Sequence, residues 1–387
     1  MYKALKTGVL VMTLTLGGIT AAQEYPCAVY LNSARIYLKQ STPDNESARK
    51  NLEAAYQKCY ENAELHYLLG LIYADDYKID KMVTELGIAK KQGFAKPEEI
   101  KKVLESKWVQ EFQAGTKALE QTDTATVDSV RTALQAQAAR YFESCLMIDS
   151  TRFQPYVNAA AQLIEMNKLE KADTLLSKAY SLVPESLNVI LSYGINLYNL
   201  ERYDQAIEIF QKAVAIDPNN SEALINLASL YGLKGDREKS REMWDILIEK
   251  GMANKDVYFN RGLVFLIEAQ DLTTKINTTE DSLAKNPKNE AWKKQMAALS
   301  SEKNKILSKA EQDFSRSVEL DSQDMEAVYQ LGFVLLLEGK LDESMQNLEK
   351  VTQMKEDHKA AWEALTVVYT KRGMMEKARE ADAKSRP

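Results

Sequence analysis

The chain has 387 residues, of which 45% are hydrophobic, 15 are Gly and 8 are Pro, and its formal net charge is −6. This length exceeds the usual size of a single-core domain, and the composition excludes both a disordered chain and a turn-rich all-β fold. The charge is spread along the chain without a basic stripe, so nucleic acid is not expected as a partner.

The N-terminal segment that ends at Ala22 has the pattern of a secretory signal peptide. Lys3 and Lys6 precede the apolar run GVLVMTLTLGGI, and small residues follow as far as Ala22. The apolar run is shorter than the roughly 20 residues that a membrane-spanning helix needs. We therefore predict export with cleavage after Ala22, which would place the protein in the periplasm or outside the cell. The alternative is an uncleaved anchor.

A set of small, aromatic and proline residues recurs along the chain at a fixed interval. Around one copy the set comprises Gly194, Ala206, Phe210, Ala213 and Pro218. The same positions one interval earlier hold Ala160, Ala172, Leu176, Ala179 and Pro184. This pattern resembles the tetratricopeptide repeat, a helix-turn-helix unit of about 34 residues. The resemblance implies an all-α, right-handed solenoid of stacked helical hairpins, in which Phe210 would fill the space between neighbouring units.

Nine repeat units are predicted, and a signal segment at 1–22 precedes them. Their ranges are 25–60, 63–96, 104–152, 153–186, 187–220, 221–254, 255–324, 325–358 and a truncated 359–387. The predicted regions are N-terminal repeats at 23–152 with an elongated third unit, regular repeats at 153–254, a repeat with an insertion at 255–324, and C-terminal repeats with a cap at 325–387.

The unit at 255–324 is about 36 residues longer than a regular repeat, and the insertion keeps a helical pattern on both sides of Pro287. The apolar seam residues are Phe265, Ala269, Leu272, Ile276 and Leu283 before it, and Trp292, Met296, Leu299, Ile306 and Ala310 after it. This spacing predicts a protruding antiparallel coiled-coil hairpin at about 266–309. At about 1.5 Å per residue the insertion would project it by roughly 27 Å.

The cysteines can be placed on this repeat framework. Cys27 begins the first helix of the first unit and Cys59 ends the second helix, so antiparallel packing brings them side by side. We predict a Cys27–Cys59 disulfide, with two reduced thiols as the alternative. Cys145 occupies the position of Ala213 and is expected to be a small buried residue.

In tetratricopeptide stacks the first helix of each unit lines the concave side. One inward-facing position of that helix holds Asn32, Leu68, Asn158, Ser192, Asn226, Asn260, Gln330 and Ala364. The row resembles the asparagine ladder of the O-GlcNAc transferase repeat region, which implies contacts with the backbone of an extended peptide. The predicted groove residues are Asn158, Leu191, Ile195, Tyr198, Asn226, Phe259, Asn260 and Gln330. The alternative is a row of solvated asparagines.

The sequence gives little indication that the protein is an enzyme. The two histidines, His66 and His358, lie on units at opposite ends of the chain, so a catalytic triad or a multi-histidine metal site is hard to build. No phosphate-binding or nucleophile motif occurs. We expect neither an enzyme nor a cofactor or metal. His66 is expected to pack in an aromatic position, and His358 to be solvated in a turn.

The sequence therefore favours an exported scaffold that binds another protein or an extended peptide in the concave groove, with the helical hairpin as a second contact. Two alternatives remain. The protein could be a structural component of an envelope assembly that associates with itself through 266–309, or an accessory subunit of an exported enzyme complex. Any membrane contact would be indirect.

Overall fold

The computed structural model describes residues 26–386, so the predicted signal peptide lies outside the described residues. Within that range the chain forms 18 helices joined by turns, and no strand. The helices are α1 (Cys27–Leu38), α2 (Asn45–Cys59), α3 (Ala63–Asp75), α4 (Ile79–Lys91), α5 (Pro97–Thr124), α6 (Asp128–Ile148), α7 (Gln154–Glu165), α8 (Leu169–Leu182), α9 (Leu187–Asn199), α10 (Tyr203–Ile216), α11 (Ser221–Leu233), α12 (Arg237–Glu249), α13 (Lys255–Lys285), α14 (Glu290–Leu320), α15 (Met325–Glu338), α16 (Leu341–Met354), α17 (Lys359–Lys371) and α18 (Met375–Ser385).

Polar residues in the turns determine where many of these helices begin. Asn220, Asn254 and Asp324 each precede a first helix, and their side chains accept hydrogen bonds from backbone N–H groups of the first turn. Such caps satisfy donors that have no partner within the helix. Helix α15 ends at Gly339, whose φ of +83° belongs to the left-handed region that glycine adopts without strain. The turn chemistry therefore fixes the repeat boundaries locally.

Two compact units make up the chain: the first, here called the N-terminal unit, ends at Pro155, and the second, the C-terminal unit, begins at Tyr156. Each has its own hydrophobic core. In the N-terminal unit Leu52 and Leu69 belong to one buried cluster, and in the C-terminal unit Phe210 and Leu227 belong to another. Among the helices of residues 26–386, none combines the length and apolar character of a membrane span.

Consecutive helices pack in pairs, and glycine allows the close approach. A Cβ atom added at Gly194 would lie 2.7 Å from the Phe210 ring, which is fully buried. Phe210 therefore fills the space inside the α9–α10 pair, whereas the sequence analysis placed it between neighbouring units. Tyr231 does connect neighbouring pairs, because its hydroxyl accepts a hydrogen bond of 2.8 Å from Gln211. The all-α repeat fold is confirmed, with this change in the role of the phenylalanine.

Helices α13 and α14 are each 31 residues long and pack against one another. Gly262 and Phe314 meet as Gly194 and Phe210 do, so the insertion preserves the pairing of this repeat. Beyond that contact, Leu272 and Thr279 are buried, while Ile276 is half-buried. On α14 Leu307 and the seam residue Ala310 are buried, whereas Ile306, which the sequence analysis also assigned to the seam, is half-buried. The projection of this pair beyond its neighbours stays a prediction.

Cys27 and Cys59 form a disulfide, as their positions at adjacent helix ends predicted, with their Cα atoms 5.7 Å apart. Cys145 is fully buried, and its sulfur lies 3.6 Å from the carbonyl oxygen of Trp108. Burial raises the pKa of its thiol to about 12. The prediction that Cys145 is a small buried residue is confirmed.

Candidate functional site

The predicted groove residues all lie on first helices of the pairs, and all are half-buried. Asn158 is on α7, Leu191, Ile195 and Tyr198 are on α9, Asn226 is on α11, Phe259 and Asn260 are on α13, and Gln330 is on α15. We call the surface that these residues occupy the first-helix face. Half-burial means that part of each side chain packs against the core, while the rest remains accessible to solvent or to a bound molecule. Their participation in peptide binding stays a prediction.

Asn226 and Asn260 have the same local geometry on successive repeats. The Nδ2 group of Asn226 donates a hydrogen bond of 2.8 Å to the carbonyl oxygen of Glu222, and that of Asn260 donates one of 2.8 Å to the carbonyl oxygen of Asp256. Both carboxamides are thus held against their own helix. Each side-chain oxygen still has acceptor capacity for a second molecule.

Gln330 departs from this geometry. Its Nε2 group donates to a carboxylate oxygen of Glu326 at 2.8 Å rather than to a backbone carbonyl. The longer side chain reaches a neighbouring side chain on the solvent side of the helix. Asn226 and Asn260 therefore share one geometry, and the amide of Gln330 is oriented differently.

The apolar members of the first-helix face are only partly covered. Leu191, Ile195 and Tyr198 pack at the edge of the core cluster that contains Ile190. Phe259 contacts the buried Phe314 edge to face, with ring centroids 5.8 Å apart. The remaining exposed apolar area could be covered by a bound molecule, which is the source of hydrophobic binding energy.

A partly buried ion-pair cluster, of which Asp313 is the buried member, lies beside Asn260 and was not singled out from the sequence. Arg261 donates two hydrogen bonds to Asp313, of 2.8 and 2.7 Å, and one of 2.6 Å to Asp245. Burial alone would lower the pKa of Arg261, but the bonds to the two carboxylates outweigh it and raise the pKa. Burial raises the pKa of Asp313. The cluster joins α12, α13 and α14 and so fixes the orientation of α13.

His66 is fully buried in the N-terminal unit, among the edges of Tyr56 and Tyr60. Its Nε2 group donates to the carbonyl oxygen of Tyr60 at 2.6 Å, and its Nδ1 atom lies 2.5 Å from a carboxylate oxygen of Glu85. The predicted packing role is therefore accompanied by a polar link between α3 and α4. No periodicity in the sequence indicated Glu85 as its partner.

His358 is not simply solvated, as the sequence analysis expected. Its Nδ1 atom accepts a hydrogen bond of 3.1 Å from the backbone N–H of Ala361, so the side chain caps α17. The ring is half-buried against Tyr329. A capping histidine performs in this turn what asparagine or aspartate performs in others.

The N-terminal unit contains a groove that the sequence analysis did not identify. Two clefts of about 480 and 400 Å³ lie along α1, α3 and α5. Leu38 and Leu71 line both clefts, so the two are continuous, and we call them together the Leu38–Leu71 groove. Leu68, which occupies the ladder position of the second unit, lines one of them.

Sequence reasoning missed this groove because its other lining residues belong to no repeated pattern. Lys102 and Lys107 on α5 are indistinguishable in the sequence from solvated lysines of a long helix. In the part of the chain that the structure describes, no three His, Cys, Asp or Glu residues are placed to hold a metal ion.

Comparison with known families gives two matches to models described as tetratricopeptide repeat, at residues 197–257 and 326–358. The first segment runs from the end of α9 through α10, α11 and α12 to the start of α13, and the second spans α15 and α16. The crystal structure of the C-terminal part of a tetratricopeptide repeat-containing protein from Cytophaga hutchinsonii covers 71% of this chain and 93% of its own, with 15% identity and a TM-score of 0.51. That likeness concerns the fold.

Two curated proteins are similar in sequence. Tetratricopeptide repeat protein 8 of Caenorhabditis elegans is 22% identical over 47% of this chain and 39% of its own length. Protein O-mannosyl-transferase TMTC1 of Homo sapiens is 21% identical over 52% of this chain and 23% of its own length. The match thus spans 39% and 23% of these relatives. The repeat spacing, the paired helices and the family matches agree that the chain contains tetratricopeptide repeats.

Proposed function

We propose that this protein is an exported, non-enzymatic scaffold that binds an extended segment of another protein along the first-helix face. The observation that carries the proposal is the equivalent geometry of Asn226 and Asn260. Both lie at the same repeat position, and in both the amide nitrogen is fixed to the helix at 2.8 Å. Binding of protein partners is the general role of tetratricopeptide repeats, which supports this class of function.

The geometry suggests how such a segment would be held. The oxygen atoms of Asn226 and Asn260 would accept backbone N–H groups, which every peptide offers irrespective of its side chains. The partly exposed Leu191, Ile195 and Phe259 would be covered by apolar side chains, and burial contributes roughly 25 cal/mol per Å² of apolar surface. Because both amides are already held in place, little side-chain entropy would be lost on binding.

The experiment is a crosslinking pull-down with the Asn226→Ala/Asn260→Ala double variant, followed by identification of the captured proteins. We expect the partners that wild-type protein captures to be lost or strongly reduced. Asn347→Ala is the matched control, because Asn347 donates the same type of hydrogen bond to the carbonyl oxygen of Glu343 but lies on the second helix α16. Equal recovery of every partner with the double variant would contradict the proposal.

Export is a separate part of the proposal and has its own test. Support comes from the charged and apolar pattern of residues 1–22 and from the Cys27–Cys59 disulfide, which persists in oxidising compartments. N-terminal sequencing of the protein purified from its native cells should begin at Gln23. A chain that retains Met1 and fractionates with the cytosol would contradict export.

Self-association through 266–309 is a second candidate, favoured by one observation. Trp292 and Met296 lie near the end of the α13–α14 pair and are half-buried, so both keep some exposed apolar surface. Size-exclusion chromatography with light scattering should show an oligomer if this surface mediates contact. An oligomer that persists after residues 266–309 are deleted would exclude the candidate.

A further inference from the structure

The Leu38–Leu71 groove carries an excess of unpaired positive charge in a chain whose net charge is −6. Of its basic residues, Arg35 contacts the carboxylate of Glu64, and Lys96 lies 2.8 Å from Glu99. The other lysines that line the groove form no ion pair with a carboxylate of residues 26–386; they are Lys39, Lys102 and Lys107. Asp75 is the remaining carboxylate of the lining, so five basic and three acidic residues leave the groove with a net charge of +2, which favours an anionic partner although the whole chain is acidic.

Lys107 is the most unusual of these lysines, because only 9% of it is exposed. Its ammonium lies 4.3 Å from the ring centroid of Tyr77, a cation–π contact. The ring attracts the ammonium but carries no countercharge. Glu111, one turn further along α5, attracts Lys107 without an ion pair, and its buried carboxylate is bound by Ser144. An ammonium held by a ring rather than by a carboxylate keeps its capacity to pair with a bound anion.

The other part of the groove combines paired charged residues with aromatic and aliphatic side chains. The rings of Tyr67 and Phe94 stack with centroids 4.2 Å apart. Tyr67 is hydrogen-bonded to Glu99, and burial, with that bond, raises its pKa to about 12. Leu38 and Leu71 are half-buried and lie where the two clefts meet. An aliphatic side chain of a bound segment can pack between Leu38 and Leu71 without displacing a charged group of the groove.

We propose that the Leu38–Leu71 groove binds a segment of another protein in which acidic and aliphatic side chains alternate. Carboxylates of that segment pair with Lys107 and Lys102, and an aliphatic side chain is covered between Leu38 and Leu71. The charge of the groove and its apolar floor together select this class of segment. None of its residues belongs to the first-helix face, so the proposal does not depend on the function proposed above.

The binding test uses the full chain and three fluorescein-labelled ten-residue peptides, followed by fluorescence anisotropy. The first alternates Asp and Leu and has both ends capped; the second carries Asn in place of Asp; the third is the Asn peptide with a free C-terminal carboxylate. We expect the Asp peptide to bind about tenfold more tightly than the capped Asn peptide, which is the difference that one charge-assisted contact supplies. Tighter binding of the third peptide than of the Asp peptide would overturn the assignment to acidic side chains.

Substitution of Lys107 locates the binding on the protein. Lys107→Met keeps a long unbranched side chain that can pack where the lysine stem packs, so we expect it to fold and to bind the Asp peptide about tenfold more weakly, without change for the Asn peptide. Lys117→Met is the matched control, because Lys117 lies on the same helix, is exposed and does not line the groove. If both variants weaken binding equally, the effect is one of net charge and the proposal fails.

Lys102→Gln provides a second variant at an exposed position, where the fold cannot depend on it. It should weaken the Asp peptide about threefold, and unchanged binding in both lysine variants would overturn the proposal. Raising the salt concentration from 50 to 300 mM should likewise weaken the Asp peptide alone. Light scattering tests a different occupant: a dimer that Lys107→Met dissociates would assign the groove to a second copy of the chain and exclude the proposal.

Discussion

The two units of this chain share one repeat framework but offer different surfaces on their first helices. In the N-terminal unit, α1, α3 and α5 enclose the Leu38–Leu71 groove, with lysines that lack carboxylate partners in direct contact. In the C-terminal unit, α9, α11 and α13 offer amides held to their own backbone beside partly covered aliphatic groups. The comparison teaches that the repeated residues specify packing, whereas the residues between them are free to specify a partner.

The length of the helices explains part of the difference. Helix α5 has 28 residues, whereas α9 has 13. Helix α9 begins 7 residues before Gly194, whereas Lys102 and Lys107 lie 13 and 8 residues before Gly115, the equivalent glycine, so both lysines are on the additional N-terminal turns of α5. Tyr77, in the turn after α3, covers Lys107. The elongated helix therefore supplies lysines of the groove that a helix of regular length would lack.

The largest contrast between the units should appear when their arginine ion pairs are broken. Arg261→Met in the C-terminal unit leaves Asp313 buried without its cation, and we expect a loss of about 3 to 5 kcal/mol of unfolding free energy. Arg35→Met in the N-terminal unit breaks a partly exposed pair with Glu64, and we expect a loss of at most about 1 kcal/mol. Urea denaturation of both variants gives the comparison, and similar losses would contradict it.

The pH dependence of the Arg261→Met variant sharpens the same contrast. Burial raises the pKa of Asp313, so ionisation of this carboxyl opposes folding, and removal of Arg261 leaves that opposition uncompensated. The deficit should therefore be largest near neutral pH and shrink as the pH falls toward 4, where the carboxyl becomes protonated. Thermal melts across this range test it, and a deficit that grows on acidification would contradict the sign.

The disulfide should stabilise the N-terminal unit alone. It closes a loop with a sequence separation of 32, which by loop-closure entropy is worth about 3 to 4 kcal/mol. The Cys27→Ser/Cys59→Ser variant should lose hydrogen-exchange protection in α1 and α2, with α9 to α12 unchanged. Dithiothreitol should reproduce the effect in wild-type protein and add nothing in the variant. Equal loss of protection in both units would refute the assignment.

A glycine packs against a buried phenylalanine ring in both units, so adding a Cβ atom at that glycine should destabilise each unit to a similar extent. Gly115→Ala and Gly194→Ala each place a Cβ atom 2.7 Å from a buried phenylalanine ring, and we expect each to cost about 1 to 3 kcal/mol. Gly87 on α4 has no atom within 4 Å of such a Cβ, so Gly87→Ala should instead stabilise by about 0.5 to 1 kcal/mol. Thermal denaturation compares them, and destabilisation by all three would contradict the packing explanation.

The smallest effect concerns Cys145. Because burial raises its folded pKa to about 12, its neutral thiol contributes stability that is complete below the unfolded pKa of about 8.5 and is lost as the pH rises toward 12. At pH 8 the native protein should not react with iodoacetamide, whereas the urea-unfolded protein should take up one equivalent. Rapid labelling of Cys145 in the native state would show that the N-terminal unit is more open than its packing indicates.

The packing of some residues could be predicted from the sequence, whereas the packing of others could not. Gly194 and Gly262 could be placed from the repeat, because a helix pair admits only a small residue where a phenylalanine ring approaches. Thr279 and Leu307 could not, because a heptad pattern read from apolar residues omits a threonine and does not distinguish Leu307 from the adjacent Ile306. The hydrogen bond from Asn226 to the carbonyl oxygen of Glu222 was not predicted, because the repeat position places the residue on a helix face without specifying the direction of its carboxamide.

The sequence by itself determined the helical repeat, its pairing and the disulfide, because each depends on contacts between positions at fixed spacings along the chain. Only the tertiary structure decided that Arg261 lies between two aspartates, that Glu85 binds His66 and that Lys107 is buried beneath Tyr77. Those contacts join residues whose separations do not recur from one repeat to the next. A periodic pattern specifies the recurring contacts, and the unique contacts that give a surface its chemistry arise when the helices pack.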